Sequence, residues 1–119
     1  NRIGASVFDT QGRLYFTNSI AENQLKRLNT NGEFENIDMS NGYLNPTESS
    51  SSKMVIDNNN NIFIGTLGDG VVAYSPSTGT SALISSNIQG VEFPDTFNAN
   101  PNITALEIDQ NSRLWIGTQ

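Results

Sequence analysis

The chain has 119 residues, with 12 acidic against 6 basic side chains for a net charge of −6, and it contains neither histidine nor cysteine. Those absences remove Ser-His-Asp triads, Cys-His pairs, disulfides and zinc-thiolate clusters, and the acidic balance argues against binding a phosphate backbone. Asn, Ser and Thr fill 40 positions, 17 of them Asn, while charged residues are only 15%. This composition suits short strands joined by turns and disfavours helices. The sequence has no apolar run near ~18 residues, so no helical membrane span is expected within it. It also shows no basic, apolar leader, so an export signal is expected to have been removed or to lie outside these residues.

Taken in chain order, the first element is Ser6-Val-Phe-Asp-Thr-Gln-Gly-Arg-Leu-Tyr-Phe-Thr-Asn18, two apolar runs joined by a polar turn. The same pattern returns as Met54-Val-Ile-Asp-Asn-Asn-Asn-Asn-Ile-Phe-Ile-Gly-Thr66 and as Leu106-Glu-Ile-Asp-Gln-Asn-Ser-Arg-Leu-Trp-Ile-Gly-Thr118. The three segments superimpose without gaps, with Asp9, Asp57 and Asp109 spaced 48 and 52 residues apart. An aliphatic residue, an aromatic (Tyr15, Phe63, Trp115) and a second large apolar residue follow in each copy. Downstream, Leu25–Asn29 parallels Val71–Ser75, Gly32 and Gly79 mark a turn, and Ile37 and Ile84 end matching segments. Each unit therefore reads as four strands, expected in the second copy near 53–57, 61–66, 71–75 and 80–85. Short, evenly spaced strands with a period near 50 residues predict four-stranded antiparallel β-propeller blades.

Two further features favour a propeller over a sandwich. The second strands are continuously apolar, as expected of a sheet covered on both faces. The glycine of Ile-Gly-Thr lets a neighbouring blade approach closely. The expected all-β organisation is a blade with its linker over 1–52, a second over 53–102 and half of a third over 103–119. Propellers close with about four to eight blades, so the chain is expected to be an excerpt of a larger one. On that reading the strand carrying Trp115 is left with an open edge and face, and the isolated chain is expected to be marginally stable or associated through this end.

Ile103-Thr-Ala-Leu-Glu-Ile-Asp-Gln-Asn-Ser-Arg-Leu-Trp-Ile-Gly-Thr118 resembles the bacterial two-component-regulator propeller repeat, and Val55–Tyr74 resembles it too, including Gly68-Asp-Gly before the third strand. The first copy departs from the pattern, with Tyr15 for Trp and no Gly-Thr. The resemblance implies an exported bacterial binding scaffold of the periplasm or cell surface, in one of two settings. One is the surface component of type IX secretion of the PorZ type, whose blades Asn45–Asp57 and Ala105–Asp109 resemble somewhat more closely. It implies protein partners in a secretion or signalling complex, or a surface polysaccharide. The other is the periplasmic, oligosaccharide-sensing propeller of hybrid two-component systems in Bacteroidetes.

Binding is expected on the long blade-to-blade connections near 39–52 and 86–102, where Tyr43, Phe93 and Phe97 accompany Asp69 of a shorter loop on the same face. No catalytic residue, cofactor or metal ligand is assigned. Asp57-Asn-Asn-Asn-Asn61 resembles the start of a calcium loop, yet Ile62 stands where glycine is needed and Gly68 where Glu is needed. A structural turn is expected there. The pairs Glu33/Glu35 and Glu107/Asp109 have acid-base spacing, but the first lies on an outer strand and the second includes a turn residue. Asn102-Ile-Thr104 fits a glycosylation pattern that a bacterial source would leave without meaning.

Overall fold

A computed structural model of the chain describes residues 3–18, 25–37, 50–67, 70–84 and 103–118. Blade one comprises β1 (Ile3–Phe8), β2 (Leu14–Asn18), β3 (Leu25–Leu28) and β4 (Phe34–Asn36). Blade two comprises β5 (Ser50–Ile56), β6 (Ile62–Leu67), β7 (Val71–Ser75) and β8 (Thr80–Ile84), and a half-blade comprises β9 (Ile103–Ile108) and β10 (Leu114–Thr118). Within each sheet the strands lie in chain order and every pairing is antiparallel. Among the described residues there is no helix.

The predicted repeat is also a repeat of register. Val7 pairs with Tyr15, Val55 with Phe63 and Glu107 with Trp115. Each first strand carries an irregularity at the same place, between Ile3 and Ser6, between Ser51 and Lys53, and opposite Gly117 and Thr118. Three strands of the second copy differ from the expected bounds: β6 spans Ile62–Leu67 and β8 ends at Ile84, each one residue off, and β5 shifts at both ends. Strand β5 begins at Ser50 rather than 53, because the serine run pairs with Thr66 and Leu67. It ends at Ile56 because Asp57 leaves the ladder to organise the turn.

That turn is built three times from the same atoms. Asp9, Asp57 and Asp109 each receive, on Oδ1, the backbone N–H groups two and four residues on, at 2.8–3.0 Å. The third residue after each Asp, Gly12, Asn60 or Ser112, sits at φ between 59° and 81°, a region that glycine and asparagine enter most readily. The fourth residue closes the turn by donating from its side chain to Oδ2: Arg13, Asn61 or Arg113.

Two apolar seams hold the blades together. Tyr15, Leu25 and Ile37 of blade one pack with Met54, Ile62, Ile64, Val72 and Tyr74 of blade two. Val55, Phe63, Val71 and Ile84, on the opposite face of blade two, pack with Ile103, Leu106, Leu114 and Ile116. Alternate residues of β6 thus enter different seams, which explains its unbroken apolar run. A Cβ on Gly65 would stand 2.7 Å from Ile103 Cγ2, so the glycine admits the next blade as its sequence position suggested.

Candidate functional site

Antiparallel alternation gathers the ends of β2, β4, β6 and β8 and the starts of β3, β5, β7 and β9 at one end of the blades. The connections 19–24, 38–49, 68–69 and 85–102 leave from that end, the face to which binding is assigned from sequence. Tyr43, Asp69, Phe93 and Phe97 all lie outside the described residues. The footing of one of these loops is described. Thr66, fully buried, donates its backbone N–H and its hydroxyl to the Gly70 carbonyl, at 3.0 and 2.7 Å, clamping the mouth of the loop that carries Asp69. The role of this threonine went unread in the sequence, although the recurrent Gly-Thr pair was its signal.

The opposite end carries the Asp turns. Burial alone would push the Asp9 carboxyl up, but the Arg13 backbone N–H, the Arg13 guanidinium and the Gln11 N–H together hold it below the ordinary value. Asp109 is held far below that value, first by the indole N–H of Trp115 at 2.9 Å and then by the Arg113 and Asn111 donors. The Asp57 carboxylate likewise faces N–H donors: Oδ1 accepts from Asn59 and Asn61, and Oδ2 from the Asn61 amide. An oxygen set already engaged by donors is a poor chelator, and a carboxylate kept ionised is a poor general acid. The Glu33/Glu35 pair is exposed, with Glu35 paired to Arg27. Among the described residues, no three Asp, Glu, His or Cys side chains group in a way that would hold a metal ion.

A polar cluster closes the outer part of the first seam. Arg27 donates from Nη1 to the Tyr15 hydroxyl at 3.2 Å and from Nη2 to Glu35, and its guanidinium lies 5.8 Å from the Tyr15 ring centroid. The Tyr15 hydroxyl is the main cause raising the Arg27 pKa, and burial is the main cause raising that of Tyr74 across the seam. Trp115 occupies the register position of Tyr15 and Phe63, yet it is 59% exposed where Tyr15 is fully buried. Its indole is fixed by Asp109 and by the Arg113 guanidinium, 5.8 Å from the ring centroid. Arg13 and Arg113 were not singled out from sequence; their spacing four residues after Asp was the signal for these ion pairs.

Comparison with known proteins now has a geometry to stand on. No curated protein matches the chain. The family described as "Two component regulator propeller" matches residues 96–119. Among solved structures, the chain is 27% identical to the extracellular domain of a putative one component system from B. thetaiotaomicron, with a TM-score of 0.63 over 99% of this chain and 14% of that one. The extracellular domain of a putative hybrid two component system from the same organism gives 17% identity and a TM-score of 0.65, covering 99% of this chain and 14% of that one. PorZ, a surface component of the type-IX secretion system of Porphyromonas gingivalis, gives 17% identity and a TM-score of 0.64, covering 98% and 16%. The chain therefore spans about one seventh of the length of the solved chains it matches. The fold is that of a β-propeller related to the two-component-regulator and PorZ propellers.

Proposed function

We propose that the chain forms blades of a non-catalytic binding propeller in the exported sensory region of a bacterial signalling protein. Its units, expected at 1–52, 53–102 and 103–119, have their first boundary moved to the start of β5 at Ser50, and its ligand, an oligosaccharide, is taken on the loop face by Tyr43, Asp69, Phe93 and Phe97. The observation that carries this reading is the 27% identity, sustained over 99% of the chain, to an extracellular domain of a one component system. The engagement of all three turn carboxylates by N–H donors supports a scaffold whose acids maintain shape rather than perform chemistry.

A second reading, a PorZ-like surface component of type IX secretion that contacts proteins or surface polysaccharide, is favoured by the Asn45–Asp57 connection and by Ala105 ahead of Asp109. Deleting the gene separates the two. The sensory reading expects loss of transcriptional induction by one class of oligosaccharide, with protein export intact. The secretion reading expects export cargo to accumulate in the periplasm whatever the sugar supplied. In the intact protein, Tyr43→Ala, Phe93→Ala or Phe97→Ala is expected to weaken oligosaccharide binding by about tenfold, a loss of ~1.4 kcal/mol each, without moving the melting temperature.

A further inference from the structure

Each four-stranded sheet ends on an outer strand, β4 in blade one and β8 in blade two, and among the described residues neither strand is paired on its far side. The two edges are guarded differently. β4 has three residues and carries Glu35, paired to Arg27. β8 pairs with β7 over five consecutive positions, from Ser75 opposite Thr80 to Val71 opposite Ile84, without a bulge. It has no charged residue, no proline and no irregularity, the devices by which an outer strand resists pairing with another chain. It lies within residues 70–91, the longest uncharged run in the chain. Both seams join blades through their faces, so further blades leave this edge open. We propose that the far edge of β8 pairs antiparallel with β8 of a second copy of the protein, joining two four-stranded blades into one continuous sheet about a twofold axis.

Charge and register single out that occupant. Self-pairing centred on Ala82 sets Thr80 opposite Ile84 and Ala82 opposite its own copy, so small and β-branched residues meet and no like charges face each other. Ala82 and Thr80 are exposed, which leaves the strand open to a neighbour at the axis and beside it. The net charge of −6 resides outside the uncharged run, so two copies approach here without acidic repulsion. An acidic or basic segment of another protein would find no counter-charge on this strand. The pairing is isologous: one strand serves both copies, and the assembly closes as a dimer without creating a further edge. A five-residue ladder is a small interface, so the association is weak, in the micromolar range or above. The inference concerns the outer edge of blade two and stands apart from what the loop face binds.

A disulfide trap reads such a pairing residue by residue. Directly opposed residues of antiparallel strands have Cα atoms about 4.5–5.5 Å apart, within the reach of a disulfide. Thr80 and its own copy would stand four residues apart along the strand, roughly 13 Å, and cannot be bridged. In the intact gene product under mild oxidation, Ala82→Cys is expected to form a reducible covalent dimer at least about tenfold faster than Thr80→Cys. The parent protein serves as the blank. Equal rates for the two variants would overturn the proposal, because they would report random collision, and so would the absence of a dimer with either. Capture of Ala82→Cys by a different protein in place of its own copy would also overturn it. Ala82→Lys supplies the second arm by setting two like charges opposite each other at the axis. It is expected to abolish self-association by light scattering at concentrations where the parent associates, with the melting temperature unchanged. Self-association that survives Ala82→Lys would place the contact elsewhere and overturn the proposal.

Discussion

The two seams of the molecule are made by one repeat and yet rely on different chemistry. At the first, the Gly65 position is held by Thr17, which is buried and accepts the Ala5 N–H on Oγ1 at 3.0 Å. The adjoining contact is polar at its rim: Thr10 donates its backbone N–H to Asn60 Oδ1 at 3.1 Å, and the Asn60 amide donates to the Thr10 hydroxyl at 2.9 Å. At the second, the position is glycine, Ile103 sits directly upon it, and the turn pair equivalent to Thr10 and Asn60 is Asn58 and Ser112. Serine is too short to return that reciprocal bond. The repeat specifies register; the seam is specified by what stands at one strand position and one turn position.

The largest effect is expected in the first seam's core. Ile64→Ala empties a fully buried site that joins both blades and is expected to cost about 2–5 kcal/mol, measured by urea unfolding. In the second seam, Gly65→Ala places a methyl 3.1 Å from Ile103 Cβ and 3.2 Å from Lys53 Cβ, atoms near the backbone that cannot swing aside. A loss of about 1–3 kcal/mol is expected, whereas a neutral result would break the contrast between the seams.

Much of this was legible in the sequence, and the reason is local. Asp followed by four turn residues and an apolar triplet fixes turn, register and strand face with interactions no more than six residues apart, so three copies announce it three times. The apolar run Ile62-Phe63-Ile64 likewise reported burial on two sides. What was not legible depends on residues far apart in the chain. The Thr10–Asn60 exchange joins positions 50 residues apart, and the Tyr15–Arg27–Glu35 rim depends on neighbouring strands bringing three polar tips together. Trp115 shows the limit most plainly, because its motif gives its place in the blade while its burial depends on what packs beside it. The expected loop residues Tyr43, Asp69, Phe93 and Phe97 belong to connections that lack the repeat, where no second copy corroborates a reading.

Smaller effects sharpen the comparison. Asn60→Gly keeps the left-handed turn but removes both bonds to Thr10, and is expected to cost about 1–2 kcal/mol by thermal melting; Ser112→Gly, with no such bond to lose, should cost less. Acid is expected to loosen the Asp turns. Asp9 and Asp109 have folded pKa values below the ordinary 3.8, so their contribution is full above that value and is lost as pH falls through the folded values. The melting temperature should decline below about pH 4, and less steeply in Asp109→Asn.

The claim that successive copies of the repeat stack as blades is tested most directly by a double-mutant cycle across the second seam. Ile103→Ala removes Cγ2, the atom a methyl on Gly65 would meet at 2.7 Å, and leaves the contacts at Ile103 Cβ and Lys53 Cβ, so Gly65→Ala introduced into that background should lose part of its cost, by more than about 0.5 kcal/mol. If Gly65→Ala costs the same with and without Ile103, within about 0.3–0.5 kcal/mol, the two residues do not meet and the stacked-blade account is wrong.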